Sequence, residues 1–218
     1  MFGQNIIMPI LKDNGAKLSL TKIFRTIQGE GPFVGQPAIF VRLAGCNLQC
    51  KFCDTDFQER KILNLSDIIS EIELLANNII KLVVITGGEP LRQNIVKLTE
   101  LLIAENFKVQ IETNGTIKRS LPDEVSIICS PKNNLKNGQY NISSDLINYV
   151  DAFKFIISKT NICYNEVPKI NTDKPIYIQP MDEGDSIKNK NNLDHTIKLA
   201  QKHNYFISLQ THKIMNIE

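Results

Sequence analysis

The chain has 218 residues, 42% of them hydrophobic, with 25 Lys and Arg against 23 Asp and Glu and a formal net charge of +2. No block of like charge occurs, which argues against a nucleic-acid-binding stripe or a membrane-binding arm. Apolar runs such as 82–85 are strand-sized and far too short to span a bilayer. This length and apolar content suit one domain with a sizeable core over 18–218, preceded by an N-terminal segment, 1–17, expected to be flexible or an extra edge. Residues 1–5 carry no basic n-region and no long apolar run, so a cytoplasmic setting is expected, where the five cysteines stay reduced.

In chain order, β-rich patterning predicts an N-terminal strand over 18–24, then strands over 38–43, 82–86, 108–112, 126–129, 152–157, 176–179 and 205–209. A helix is predicted over 66–76, opening at Ser66, with Ile68, Ile69, Ile72 and Leu75 on one face. A second carries Ile95, Leu98, Leu101 and Leu102, and a third, amphipathic one holds His195 and His203 as solvated residues. Near-continuous apolar strands alternating with such helices imply an α/β fold with a parallel sheet, and this number of strands implies an incomplete β/α barrel.

Such folds place their chemistry on the loops beyond the C-terminal strand ends. Those loops here are the run from Gly45 to Thr55, Thr86-Gly87-Gly88-Glu89-Pro90, Glu112-Thr113-Asn114-Gly115, Ser130-Pro131-Lys132 and Gln179-Pro180-Met181-Asp182. One Gly-rich turn is ordinary punctuation, but several on one rim make a site.

The first loop holds Cys46, Cys50 and Cys53 in C-x3-C-x2-C spacing. Iron–sulfur clusters usually take four cysteines. A compact triplet therefore suits a [4Fe-4S] cluster whose fourth iron stays open to a small molecule. A structural zinc site would need a second ligand pair, yet Cys129 and Cys163 are isolated and the three histidines sit near the end of the sequence, none at finger spacing. The odd cysteine count disfavours a disulfide framework.

The cysteine loop together with Gly87-Gly88-Glu89-Pro90 resembles the radical S-adenosylmethionine (SAM) superfamily. Gln28-Gly29-Glu30-Gly31, Arg42, Asp54-Thr55 and the terminal Gln210-Thr211-His212-Lys213 narrow the resemblance to the 7-carboxy-7-deazaguanine synthase family of queuosine precursor biosynthesis. That resemblance implies a carbon–nitrogen lyase that contracts the ring of 6-carboxy-5,6,7,8-tetrahydropterin and releases ammonia. It also implies SAM, one [4Fe-4S] cluster and Mg²⁺ as cofactors, an external electron donor of the flavodoxin or ferredoxin type, and a homodimer, with neither nucleic acid nor membrane as partner.

Residue by residue, the resemblance assigns Cys46, Cys50 and Cys53 to the cluster and Thr55 to Mg²⁺. It assigns Ile27, Gln28, Gly29, Glu30, Arg42, Thr86, His212 and the terminal carboxylate of Glu218 to the pterin. Phe52, Asp54, Gly88, Glu89, Glu112, Asn114, Ser130, Pro131, Lys132, Gln179, Pro180, Met181 and Asp182 fall to SAM. The chemistry of these side chains agrees: an ionised Glu30 only accepts, which suits ring N–H donors, and Arg42 can pair two-pronged with a carboxylate. A glycyl-radical activase shares the cysteine loop but needs no pterin-binding Gln28 or Arg42. A zinc-stabilised binding module without catalysis is the alternative of another class.

Overall fold

The computed structural model describes residues 5–55, 60–134, 139–140 and 142–217. Along the chain run β1 (Lys17–Ile27), β2 (Pro37–Leu43), β3 (Lys61–Asn64), α1 (Leu65–Ala76), β4 (Leu82–Gly87), α2 (Val96–Ala104), β5 (Lys108–Thr113) and β6 (Ser126–Cys129). A small hairpin, β7 (Asn133–Asn134) and β8 (Gln139–Tyr140), leads to α3 (Ser144–Tyr149). β9 (Ala152–Ile157), β10 (Ile176–Pro180), α4 (Ser186–His203), β11 (Phe206–Ile207) and α5 (Thr211–Ile214) complete the described chain. Nine strands form one open sheet in the order β11-β10-β9-β6-β5-β4-β2-β1-β3.

Within this nine-stranded sheet every pairing from β2 across to β11 is parallel. The first strand differs from the parallel expectation: β1 runs antiparallel to both β2 and β3. The connection from β1 to β2 is a short turn with Gly31 and Gly35 at φ +66 and +86, and a tight turn joins only antiparallel neighbours. Patterning missed β3 and the β7–β8 hairpin, which are too short to carry a period. Two crossovers, β5 to β6 and β9 to β10, contain no α-helix.

The strands of the barrel wall obey a two-residue period. Ile39, Val41 and Leu43 of β2, Val83 and Ile85 of β4, Val109 and Ile111 of β5, and Phe153, Phe155 and Ile157 of β9 are buried in one core. Ile68, Ile72 and Ala76 of α1, Leu98 and Leu102 of α2, and Leu199 and Ala200 of α4 cover that face. Full burial of a side chain such as Ile68 or Ile72 contributes roughly 1.5–3 kcal/mol. The alternate residues point the other way. Near the bottom of the sheet Ala38, Leu82 and Val84 form a small second cluster with Phe33 and Phe40. Higher up that face turns polar, with Arg42, Thr86, Glu112, Lys154 and Gln179.

Local details correct three expectations. Helix α1 starts at Leu65 with Asn64 as its N-cap, so Ser66 lies inside the first turn. Leu101 is 43% exposed because α2 is short and only its Leu98–Leu102 stripe meets the sheet. His195 is half-buried, and its Nε2 lies 2.7 Å from the Asn165 carbonyl, so it anchors the β9–β10 connection instead of standing in solvent. His203 is exposed, as expected.

The segment after β11 spans the open side of the sheet. Gly31 N–H donates to Ser208 Oγ at 3.0 Å, and Thr211 N–H donates to the Gly29 carbonyl at 3.1 Å. A Cβ at Gly29 would lie 2.2 Å from His212 Nδ1, so only glycine lets the C-terminal segment close against the end of β1.

Residues 5–8 are tied to the cysteine loop. Ile7 bridges Cys46, Met8 N–H donates to the Cys46 carbonyl at 2.8 Å, and Asn5 Nδ2 donates to the Thr55 carbonyl at 2.6 Å. The buried Arg92 joins the two, donating to the carbonyls of Pro9 at 2.8 Å and Ala44 at 3.1 Å.

Candidate active site

The polar face of the sheet opens into a cavity of about 1000 Å³ at the C-terminal ends of the parallel strands. One wall is the cysteine loop, with Cys46, Cys50 and Cys53 all free, half-buried and facing the cavity. Amide N–H groups approach two of these sulfurs. Leu48 N–H lies 3.4 Å and Asn114 Nδ2 3.9 Å from Cys46 Sγ, while Asn5 Nδ2 lies 3.7 Å from Cys53 Sγ. Burial, partly offset by the Leu48 N–H, pushes Cys46 up to about 11, and burial also raises Cys50. The Cys46 thiol is therefore protonated at neutral pH, and iron binding there must displace its proton.

Among the described residues, no three His, Cys, Asp or Glu side chains gather around a single point as one metal ion requires. Three cysteines spaced along a loop beside an open cavity instead fit the corners of a wider cluster, with N–H donors ready for its sulfurs.

The loop is held from below by glycine and by a carboxylate. A Cβ on Gly88 would lie 2.1 Å from the Gly45 carbonyl oxygen, and one on Gly87 (φ +145) 2.1 Å from that of Leu43. Close backbone packing between the β4 rim and the cysteine loop thus requires the glycine pair. Glu89 is fully buried beside it. Its Oε1 accepts from Leu91 N–H at 3.0 Å and Thr113 Oγ1 at 2.8 Å, and its Oε2 accepts from Asn114 N–H at 2.7 Å. Burial pushes this carboxyl up to about 7 against the pull of those three donors.

The opposite wall is built on β5, β9, β10, the end of β1 and the C-terminal segment. Lys154 of β9 donates to Glu30 and, at 2.9 Å, to Glu112. Four glutamine amides converge on the same carboxylates. Gln28 and Gln110 each donate to Glu112 Oε1 at 3.0 Å, while Gln210 at 3.0 Å and Gln179 at 3.3 Å donate to Glu30 Oε1. Burial alone would raise Glu30. The Lys154 charge and the hydrogen bonds from Lys154 and Gln210 outweigh it, with His212 helping, and hold Glu30 down at about 2.

At the mouth, Arg42 Nη1 donates to Thr55 Oγ1 at 3.2 Å and the guanidinium lies over the Phe24 ring. Lys213 of α5 bridges Asp182 at 2.7 Å and Asp54 at 3.4 Å. Lys132 Nζ donates to the Ser130 carbonyl and hydroxyl at 2.7 and 2.6 Å, and burial lowers its pKa.

The comparisons with known proteins agree with this architecture. The model of the Radical SAM superfamily matches residues 41–130. The whole chain aligns at 48% identity with the 7-carboxy-7-deazaguanine synthase of Rickettsia prowazekii, covering 96% of that protein. The chain belongs to the 7-carboxy-7-deazaguanine synthase family of radical SAM enzymes. The homologous synthase of Rhodospirillum rubrum is 35% identical with all of both chains covered, and that of Escherichia coli is 31% identical over 91% of this chain. The crystal structure of QueE from Escherichia coli superposes with a TM-score of 0.73, covering 88% of this chain and 93% of that one, at 24% identity, which establishes the shared fold.

In this radical SAM enzyme the cavity gathers most of the residues that sequence singled out. The lining includes the three cysteines, Thr55, Phe52 and Asp54, Ile27 to Glu30, Arg42, Thr86, Gly88, Glu112 and Asn114. Ser130, Lys132, the run from Gln179 to Asp182, and His212 complete that set. Glu218 lies outside the described residues.

Two residues stay out of the cavity. Glu89, which the resemblance assigns to SAM, spends both oxygens on the protein's own donors behind the wall and fixes the Asn114 turn. Pro131 does not line the cavity either; only its neighbours Ser130 and Lys132 do. Glu112, which the resemblance also assigns to SAM, lines the cavity and accepts from Lys154, Gln28 and Gln110.

Lys154, Gln210 and Lys213 line the site and were missed as site residues. A signal for Lys154 existed. It is the one charge inside the apolar strand Ala152-Phe153-Lys154-Phe155-Ile156-Ile157, and a buried lysine needs a partner.

Proposed function

We propose that this chain converts 6-carboxy-5,6,7,8-tetrahydropterin to 7-carboxy-7-deazaguanine with release of ammonia, as the names and full-length likeness of its relatives suggest. The observation that carries this reading is one cavity in which the cysteine loop faces a wall of acceptors and a cationic rim.

When bound, the cluster and SAM supply a 5′-deoxyadenosyl radical. The chain's own residues then have separable tasks. Cys46, Cys50 and Cys53 hold the cluster. Asn114, Ser130, Lys132, Met181 and Asp182 line the side of the cavity we assign to SAM, with Lys132 as the natural partner of its carboxylate. Arg42 pairs with the substrate carboxylate, and the Thr55 hydroxyl beside it can enter a Mg²⁺ shell completed by water and substrate oxygens. Ile27 to Glu30, Thr86 and His212 face the pterin. Likeness to the family also supports an external one-electron donor, a homodimer and a cytoplasmic setting.

The test is an anaerobic assay of reconstituted protein with SAM, reductant, Mg²⁺ and the carboxytetrahydropterin, read by mass spectrometry. We expect 7-carboxy-7-deazaguanine from the wild type and none from Cys50→Ala. Deoxyadenosine without the deazaguanine would reject this substrate. A colourless protein giving neither product would restore the zinc-module alternative.

A further inference from the structure

The segment before β1 is held to the cysteine loop in a way that hydrophobic packing does not explain. Ile6, Ile7 and Ile10 are 82%, 58% and 51% exposed, so residues 5–11 bury little of their apolar surface. A chain end with so little burial ordinarily frays. Here polar contacts hold it instead, and they reach both ends of the loop.

At the start of the loop the Cys46 carbonyl accepts from Met8 N–H at 2.8 Å. A Cβ on Gly45 (φ +83) would lie 2.7 Å from Met8 Sδ, so the segment also lies tight against the residue before Cys46. In the middle, Gln49 Nε2 donates to the Asn5 carbonyl at 3.0 Å. At the end, a single amide nitrogen, Asn5 Nδ2, lies 2.6 Å from the Thr55 carbonyl oxygen and 3.7 Å from Cys53 Sγ. The other end of the segment is fixed to the body of the fold. Leu11 N–H donates to the Arg92 carbonyl at 2.8 Å, and Arg119 Nη2 donates to the Leu11 carbonyl at 3.2 Å.

An asparagine amide nitrogen carries two N–H donors. One serves the Thr55 carbonyl and the other is within reach of Cys53 Sγ. As a thiol, Cys53 also donates to the Thr55 carbonyl at 3.7 Å. The metal ligand is the thiolate, which has no S–H to give. Asn5 then remains as the donor shared by the carbonyl and the sulfur, and a hydrogen bond to a charged acceptor is the stronger kind. Hydrogen bonds to the sulfurs are among the features that set a cluster's reduction potential.

We propose that residues 5–11 form a clamp on the cysteine loop, with Asn5 as a positioning residue that fixes the Cys53 ligand and, through its N–H···S bond, favours the reduced, more negative cluster. The proposal rests on the iron–sulfur cluster that the family implies and stands whichever substrate the enzyme takes.

The test uses the full-length protein reconstituted anaerobically with iron and sulfide, without substrate. It reads the midpoint potential of the cluster by a titration followed by electron paramagnetic resonance, and the rate of iron release to excess chelator. Asn5→Leu keeps a similar size and removes both donors without adding charge. We expect its oxidised-to-reduced ratio at a fixed potential to rise on the order of 10-fold, a fall in midpoint of about 59 mV for one electron. Iron release should quicken by a similar factor of about 10. Asn5→Gln, which keeps the amide on a longer arm, should recover part of both effects.

Asn14→Ala is the control. Asn14 lies in the same segment but bonds locally, its Oδ1 accepting from Ala16 N–H at 3.0 Å, and its loss should move neither reading. An unchanged potential in Asn5→Leu overturns the N–H···S role even where iron release quickens, because a merely structural contact would alter retention alone. Unchanged iron release overturns the clamp, as does an Asn14→Ala variant that matches Asn5→Leu. A wild type that takes up no iron overturns the cluster reading itself, which separates the two failures.

Discussion

Two glutamates, Glu30 partly buried on the cavity wall and Glu89 fully buried behind the opposite one, have opposite acid–base behaviour. Glu30 shares the Lys154 ammonium and is held down at about 2, whereas Glu89 has only N–H and hydroxyl donors and is pushed up to about 7. Both accept three hydrogen bonds from the protein. A nearby cation therefore decides the sign where desolvation alone would raise both carboxyls. The wall around Glu30 lines the cavity with carboxylates held ionised by a shared ammonium. The rim around Glu89 is scaffolding that sets the cysteine loop through backbone contacts.

The comparison is broken most severely at the rim. Gly88→Ala places a Cβ 2.1 Å from the Gly45 carbonyl and 2.9 Å from Cys46 Cβ, and backbone cannot yield cheaply there. We expect a loss of about 3 kcal/mol in urea unfolding together with a cysteine loop that no longer takes up stoichiometric iron. Normal iron content in that variant would show that the glycine pair does not set the loop.

The two glutamates should also be visible in stability against pH. Glu89 lies above its ordinary 4.5, so its contribution is fully present below pH 4.5 and is lost as pH rises toward 7, by about 3 kcal/mol. Glu30 lies below 4.5, so its contribution is present above pH 4.5 and is lost as pH falls toward 2, by a similar amount of about 3 kcal/mol. Urea midpoints across this range should lose the decline between pH 4.5 and 7 in Glu89→Gln and the acid-side loss in Glu30→Gln. Parallel profiles for wild type and Glu89→Gln would contradict the assignment.

The smallest effect is expected at the solvent-facing mouth. Lys213, about a third exposed, pairs with Asp182 and Asp54, and such pairs are worth little. Lys213→Met should change unfolding stability by less than about 1 kcal/mol. A loss several times larger would place α5 among the elements that hold the barrel closed.

Much of the chemistry was legible in the sequence because it is local. The C-x3-C-x2-C spacing, the glycine pair and the strand-end loops lie on contiguous residues, and apolar strands with amphipathic helices specify a parallel α/β sheet. The Glu30 wall was not legible as a unit. Gln28, Glu30, Gln110, Glu112, Lys154, Gln179 and Gln210 come from five segments, and only strand order brings them together. The sense of β1 was equally hidden, because direction follows from turn length and pairing and not from composition.

The sequence by itself therefore determined the period of each strand, the spacing of the cysteine triplet and the family. Each rests on residues read within one short window or matched along the chain. Tertiary structure alone decided which side chains share the wall with Glu30, that Glu89 stands behind the wall, and that residues 5–8 lie against the cysteine loop. Those outcomes depend on which donors arrive from distant strands, and a carboxylate's role is set by its partners in space.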